Sequence, residues 1–501
     1  MRNKPITAPL LRPAICLIIG ITAGRFLSCD VTAILIILLA TLVAAFLLRK
    51  SDVGQSLCIS TACILLGALL CIHQKTQLSV EWPTGERNYA VVISSEPVER
   101  GKTLAMDALL AADGKKIQLR LMRDERSEQL TVGDGILIRS AIKPLSSQGS
   151  YRTWQETHSY VGEAFVTRNH WQREVIPLEG IGHVQRLRLF FMDIRHVLLQ
   201  QITSTVRAQE DYSILSAMVL GDKSGVSKEQ KEQFSVAGTS HLLALSGLHL
   251  GIIYMLLSSL FRNRRWQTVN QLLIVVVVWA FVLLVGMPSS VIRAAVMITT
   301  LALVRVLNRG AAPLNSLALA ALIMLVVNPY SLFDIGFQLS FCAVLAILLF
   351  TPLIESLLTS HHSPFTKYLL SLTIVSIAAQ IGTAPLVAYY FGRFSVWFLL
   401  ANYVAIPLAT LILYSMVVVL LLGFWPALQS MIIVIPATLA SWLNGWTAWI
   451  ASLPFASIDG LHPSILQVVM IYVIILCLWL LIHYYVKHRP DAMGISKNLS
   501  L

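Results

Sequence analysis

Residues 220–254 read LGDKSGVSKEQKEQFSVAGTSHLLALSGLHLGIIY. A polar, charged run from Gly221 to Gln233 passes within a few residues into an apolar helix. That helix carries His241, His249 and, between them, the pair Ser246-Gly247. Spans that face lipid avoid this mixture, because a polar group among acyl chains loses its hydrogen-bonding partners. The segment is therefore expected to face a cavity or a neighbouring helix, and the rest of the chain is read for that cavity and its cargo.

The chain has 501 residues, 56% of them hydrophobic and 13% charged, with a mean hydropathy of +0.71. So much apolar surface excludes a soluble globular protein and predicts a polytopic α-helical membrane protein. The net charge of +12 is unevenly placed. Residues 73–210 hold 18 Lys/Arg against 16 Asp/Glu, and the remainder 20 against 10. The basic excess thus belongs to the membrane part, where cytoplasmic loops accumulate Lys and Arg; a nucleic-acid footprint is the other reading. The seven cysteines (Cys16, Cys29, Cys58, Cys63, Cys71, Cys342, Cys477) all lie in or beside apolar segments. No disulfide is expected in the soluble stretch, and no metal site is suggested.

Outward from the opening stretch, residues 11–27 follow Arg2, Lys4 and Arg12 in the manner of a signal peptide. No small-residue cleavage site is evident and another apolar run follows at once, so a retained first span is expected. Runs at 31–48 and 56–72 complete a three-span region, 1–73. Basic residues at the start and Arg49-Lys50 after the second run place the amino terminus inside and His73 outside. A soluble domain, 78–180, then shows five β-type runs at 89–94, 103–110, 116–122, 135–142 and 160–167, separated by turn signals. These suggest a small extracytoplasmic OB-like β domain inserted after the third span, a fold often used for single-stranded nucleic acid; Trp154 and Trp171 are equally suited to filling its core. A basic amphipathic helix, 181–210, carries Arg186, Arg188, Arg195 and Arg207 and would lie on the membrane surface or line a groove.

Nine further apolar runs, at 240–261, 268–286, 289–307, 313–328, 332–353, 369–391, 395–422, 428–452 and 463–486, form a membrane domain, 211–490, before a tail, 491–501. Some are short or interrupted by Pro385, Pro407 and Pro436. Starting outside, they put Arg262, Arg264, Arg265, Arg309, Lys367 and Lys487 on the cytoplasmic side, with Arg393 the outer exception. The pattern predicts about twelve spans with both termini on the cytoplasmic side.

His241, Leu245 and His249 are spaced four apart, which puts both histidines on one face of a continuous helix, with Ser246 close to it. A polar stripe along a translocation path and a pair of buried, satisfied histidines fit that spacing alike; zinc fits it poorly. Gly247 and Gly251 suit close helix packing. Arg293 follows GMPSS, 286–290, within the first turns of a span, where an arginine costs roughly 3 kcal/mol or more at mid-depth. It should face a water-filled path, snorkel towards the outer surface, meet a phosphate, or pair with Asp334 or Asp222. Asp334, Gln338 and Ser340 give the next span a polar face, and Gln380, Thr383 and Asn402 add polar positions at membrane depth. A polar interior shared by several spans is what channels and transporters require. No GxxxxGK[ST] loop and no HxHxDH metal cluster occur, so neither nucleotide hydrolysis nor nuclease chemistry is expected, and no cofactor. His361-His362 read as a solvated pair.

GDKSG, Phe234 and HLLALSGLHLGI, followed in order by GMPSSVIRAAVM, NPYSLFDIGFQLSF, AQIGTAPL and ANYVAIPL, resemble the signature segments of the ComEC family of competence proteins. The resemblance covers roughly residues 213–486; the β domain matches more loosely. It implies an inner-membrane channel for uptake of single-stranded DNA during natural transformation. By that resemblance Asp222, Lys223, His241, Ser246, His249, Arg293, Asp334 and Gln338 fall in the signature motifs and become candidates for the DNA path. Many members carry a carboxy-terminal metallo-β-lactamase-like domain. The chain runs only from Val486 to Leu501 after its last apolar run and is expected to lack one. The expected partners are single-stranded DNA and membrane lipid, with room for a DNA receptor outside, an ATP-driven helicase inside and a homo-oligomer. Two other classes stay open. A small-solute or proton-coupled transporter would show pH-dependent flux lost on His241→Ala or His249→Ala. A non-transporting scaffold would tolerate polar substitutions along the His241 face.

Overall fold

Ser, Asp and Pro at run boundaries punctuate this chain into helices, and alternating Val, Ile and Leu mark its strands. The computed structural model describes residues 9–27, 30–146, 149–177, 179–206, 208–261, 266–306, 313–357 and 363–488. Arg2, Lys4, Cys29, Arg207, Arg262, Arg264, Arg265, Arg309, His361, His362 and the tail beyond residue 488 lie outside them.

The first membrane region is α1 (Leu11–Phe26), α2 (Val31–Leu47) and α3 (Asp52–Leu78). Asp30 starts α2 by accepting the Thr32 N–H at 3.1 Å, and Ser51 starts α3 through the Gly54 N–H at 3.3 Å. Helices α1 and α3 meet through glycines. A Cβ on Gly20 would lie 2.0 Å from the Ile64 carbonyl oxygen, and one on Gly67 2.4 Å from that of Leu17. The backbones touch, so only glycine fits either position.

The β domain follows as β1 (Arg87–Ile93), β2 (Val98–Arg100), β3 (Thr103–Leu110), β4 (Lys116–Met122), β5 (Gly135–Ser140), β6 (Ile142–Lys143), α4 (Ser150–Thr157), β7 (Tyr160–Val166) and β8 (Trp171–Arg173). The sheet order is β6-β7-β4-β3-β1-β5-β8, with β2 on β3. All pairs are antiparallel except β4–β7. Because β6 continues β5 past Ala141 and pairs with β7, the sheet closes on itself. At that seam the Ser140 hydroxyl donates to the Phe165 carbonyl at 2.9 Å. Ile117, Leu119 and Leu121, alternate residues of β4, point into the interior and are fully buried. All five expected runs are strands, with 135–142 divided at Ala141. Strands β2 and β8 and helix α4 were not anticipated, since three-residue strands and a short polar helix carry almost no periodic signal.

The β domain is welded to the membrane helices. Its interior is continuous with Leu17 and Ile21 of α1, Cys71 and Leu78 of α3, and Met324 and Leu325 further on. Helix α5 (His183–Thr205) is a second bridge. Leu189 and Met192 pack on Val92, Leu109 and Val132 of the β domain, while Leu199 and Ile202 join the core of the helix bundle. Helix α5 thus joins two cores through one set of its apolar residues, while Val184, Leu187, Phe190 and Val197 stay exposed.

The bundle continues as α6 (Gln209–Leu215), a π-helical turn closed by Gly221 at φ +76°, then α7 (Lys228–Val236), α8 (Ser240–Leu243) and α9 (Gly247–Leu260). Next come α10 (Gln267–Leu284), α11 (Ser289–Val306), α12 (Pro313–Val327), a 3-10 turn Pro329–Phe333, α13 (Ile335–Leu357) and α14 (Pro364–Phe391). A two-stranded ribbon, β9 (Arg393–Ser395) with β10 (Ser457–Asp459), brackets α15 (Phe398–Leu421), α16 (Pro426–Ile432) and α17 (Val434–Ser452); α18 (Ile465–Lys487) is last. Among the described residues eight helices are long and apolar enough to cross a membrane: α3, α10, α11, α13, α14, α15, α16–α17 and α18. Three apolar helices, α2, α9 and α12, are shorter. The molecule is thus a mainly helical, multi-helix membrane protein with a small β domain. Pro385 and Pro407 do not interrupt their runs: α14 and α15 continue through them, because neighbouring helices compensate for the lost hydrogen bond. A Cβ on Gly251 would meet no non-local atom within 4 Å, and one on Gly247 would meet only Ala294, at an ordinary 3.4 Å. The expected close packing falls instead at Gly20, Gly67 and Gly382.

Candidate functional site

The opening stretch folds into two polar turns rather than one polar helix. In the first, Asp222 is buried and binds its own loop. Its carboxylate accepts the Ser224 N–H at 3.1 Å and the Ser224 hydroxyl at 2.9 Å, and its N–H donates to the Ser216 carbonyl at 3.1 Å. Such an Asx turn is a local solution for Asp followed by Ser and Gly. Around it stand Arg195 of α5, also buried, and Glu96, which lies 3.5 Å from His196. Burial raises the Glu96 carboxyl above its usual range, against the pull of His196 and Arg195. Burial likewise lowers the Arg195 guanidinium, which Asp222 and Glu96 partly restore. Lys223 next door is exposed, yet hemmed in enough that lost hydration and then Lys231 push its ammonium down. Asp222 therefore anchors a turn between the β domain, α5 and the bundle, and Lys223 is the cation it presents.

The second turn overturns the expected single helical face. The helix breaks at residues 244–246, so His241 lies on α8 and His249 on α9. Ser246 is the reason: it adopts extended backbone (φ −128°, ψ 171°) as the N-cap of α9, a position serine prefers. His249 is buried, its Nδ1 accepting the Ser246 N–H at 3.3 Å and lying 3.0 Å from the Ser246 hydroxyl. That contact leaves the proton on Nε2, which is buried without a well-formed hydrogen bond. His241, by contrast, is exposed. The break also frees the Leu245 carbonyl, which accepts the Ser290 hydroxyl at 2.6 Å.

Arg293 sits one turn beyond Ser290 and is 3% exposed. Its Nη2 donates to the Gly336 carbonyl at 3.1 Å, and its guanidinium packs 5.4 Å from the Phe341 ring centroid and 5.8 Å from that of Phe337. Nε and Nη1 are buried without partners. Among the described residues no carboxylate lies within ion-pair distance of it, so the expected pairing with Asp334 or Asp222 does not form. Asp334 is near but engaged as the cap of α13, accepting the Phe337 N–H at 2.8 Å. Gln338 donates to the Leu332 carbonyl at 3.0 Å and accepts the Tyr390 hydroxyl at 2.8 Å.

These parts are contiguous. A Cβ on Gly221 would meet the Leu245 side chain, so the Asp222 turn lies against the helix break. Gly247 faces Ala294, next to Arg293, and Arg293 reaches Gly336 beside Asp334. All eight sequence-selected residues thus fall on one chain of touching elements at the end of the bundle that carries the β domain. The sequence reading missed Glu96, His196 and Tyr390, which are single polar residues with no motif around them, and gave no role to Ser290 although it closes the GMPSS segment. Arg186, on the basic helix, donates to the Ile181 and Glu179 carbonyls just before that helix begins. Arg393, the outer exception, is held by Glu232 at 2.7 Å, by Ser235 at 3.1 Å and by Asp459. Among the described residues no group of three or more His, Cys, Asp or Glu is placed to hold a metal ion.

A family model described as "Competence protein" matches residues 218–484. "ComE operon protein 3" of Bacillus subtilis is 27% identical over 298 residues, which are 59% of this chain and 37% of that protein. "Recombination protein 2" of Haemophilus influenzae is 22% identical over 239 residues, 45% of this chain and 30% of that one. An uncharacterised protein of Aquifex aeolicus is 30% identical over 199 residues, 40% of this chain and 45% of its own. The chain spans less than half the length of these curated relatives. No solved structure matches it.

Proposed function

The chain belongs to the competence protein family, and on that footing we propose that it is an inner-membrane channel through which one strand of external DNA enters the cytoplasm. In this reading the β domain faces outward, about twelve spans put both termini in the cytoplasm, and the Asp222, His241–His249 and Arg293 elements form the mouth of the path. The observation that carries it is Arg293. A buried guanidinium with two nitrogens unpaired is costly, and a phosphate passing the outer end of α11 would satisfy them. The strand order supports it too: reading β5 and β6 as one bent strand, the closed β domain has the order of an OB-like barrel, a scaffold suited to single strands. The chain itself hydrolyses neither nucleotide nor DNA in this reading, so an ATP-driven motor and any nuclease are separate partners.

The test is transformation frequency in a deletion strain complemented with the wild-type gene or with Arg293→Ala. Deletion abolishes transformation while DNA still binds the cell surface, and Arg293→Ala restores it roughly ten- to hundredfold less well than wild type, the worth of a charged hydrogen-bond set. Full transformation in the deletion strain would overturn the reading.

A further inference from the structure

We propose that Tyr151, Trp154 and His158 form a stacking platform for the bases of single-stranded nucleic acid, set beside the Asp334–Arg293 group; this deepens the DNA-uptake reading and rests on it. The three residues are spaced three and four apart along α4 and its cap, which puts their rings on one face. Tyr151 and Trp154 stack at 5.8 Å and 11°, and Trp154 and His158 lie 4.8 Å apart. Rings packed this way in a core would be covered. Here Tyr151 is 39% exposed, Trp154 38%, and His158 is exposed too. Aromatic surface left open in this manner accepts bases of any sequence.

The platform is rigid. The Tyr151 hydroxyl is held by the Glu163 carboxylate and lies 2.7 Å from the Gln118 amide oxygen, and the Tyr160 ring, 5.2 Å from Trp154, is held through its hydroxyl by Asp107 at 2.6 Å. Arg120 supplies a cation beside it, reaching the Tyr151 hydroxyl at 3.5 Å, whereas Lys116, 4.3 Å from the Tyr160 ring centroid, is ion-paired to Asp107 at 2.8 Å. It is also aimed. The Thr157 carbonyl accepts the Asn328 side-chain amide at 3.2 Å, and the turn Pro329–Phe333 leads directly into Asp334. A strand stacked on α4 would lie next to the cap of α13, whose Gly336 carbonyl holds Arg293. Rings in a bilayer interface would turn their polar tips to water; the Tyr151 and Tyr160 tips turn instead to the β domain.

The experiment uses the full chain in detergent with two probes of equal length, a fluorescent oligo(dT) and its abasic deoxyribose-phosphate counterpart. Tyr151→Ala/Trp154→Ala is expected to weaken oligo(dT) binding roughly tenfold or more and to leave abasic binding unchanged, and Trp154→Phe to recover most of the loss. Equal loss on both probes, or oligo(dT) binding equal to wild type, overturns the platform and leaves the channel reading standing. Unchanged oligo(dT) binding with weaker association to phosphatidylglycerol vesicles overturns it in favour of a bilayer contact. A wild-type chain that binds neither probe overturns both proposals.

Discussion

Two flanks join the β domain to the membrane helices, and they handle buried charge in opposite ways. On the flank of α1, α3 and α4, Arg25 reaches Glu156 at 3.1 Å and Thr153 at 3.2 Å and packs 4.2 Å from the Phe333 ring centroid. Gly20 and Gly67 let the α1 and α3 backbones touch there, and the result is a closed joint. On the flank of α9, α11 and α13, Arg293 is more deeply buried and, among the described residues, has no carboxylate in ion-pair contact, with Asp334 acting on it only from a distance. A buried cation left without its counter-charge costs stability that the paired one does not. The first flank holds its cation in an ion pair, and the second leaves its cation buried without one.

If the flanks differ in this way, substitutions on them should act with opposite sign. Gly20→Ala forces a methyl into the Ile64 carbonyl and should cost about 3 kcal/mol, read as a lower melting temperature in detergent; an unchanged melt would mean that the joint is loose. Arg25→Ala strands Glu156, whose remaining partner is Arg152 at 2.9 Å, and should cost about 2 kcal/mol. Arg293→Met removes an unpaired buried charge and should do the reverse, raising stability by about 1 kcal/mol while impairing DNA uptake. If Arg293→Met destabilised the protein as Arg25→Ala does, the two flanks would not differ in kind.

The smallest effect concerns pH. Burial raises the folded-state Glu96 carboxyl above its unfolded value. The folded protein therefore binds the proton more tightly, and the stability this contributes is present at low pH and lost as pH rises through the folded value. Melting temperatures should decline over the pH interval just above the ordinary carboxyl range, and Glu96→Gln should flatten that decline. An identical pH profile in the variant would show that the Glu96 environment does not bear on folding.

Strand positions were legible because alternation of period two survives in a half-buried sheet: runs 103–110 and 116–122 coincide with β3 and β4. Helix positions were legible because apolar runs near the length of a bilayer crossing have few other uses. The eight residues named from the motifs lie on touching elements at one end of the bundle. Their geometry was not legible. A four-residue spacing predicts a common face only if the helix continues, and Ser246 ended it. The partners of Asp222 were also out of reach, since Arg195 is 27 positions away and Glu96 further still, with no repeating pattern to connect them.

Local order is written in the chain itself: where it is strand, where it is apolar helix, and which segments mark its family. Each depends on residues a few positions apart, and periodicity and capping record those directly. Three features arise only when distant parts of the chain meet: the parallel β4–β7 pairing that closes the sheet, the Arg25–Glu156 pair across 131 positions, and the isolation of Arg293. These depend on which distant groups the whole fold brings together and which it leaves without partners, and a one-dimensional pattern holds no record of that.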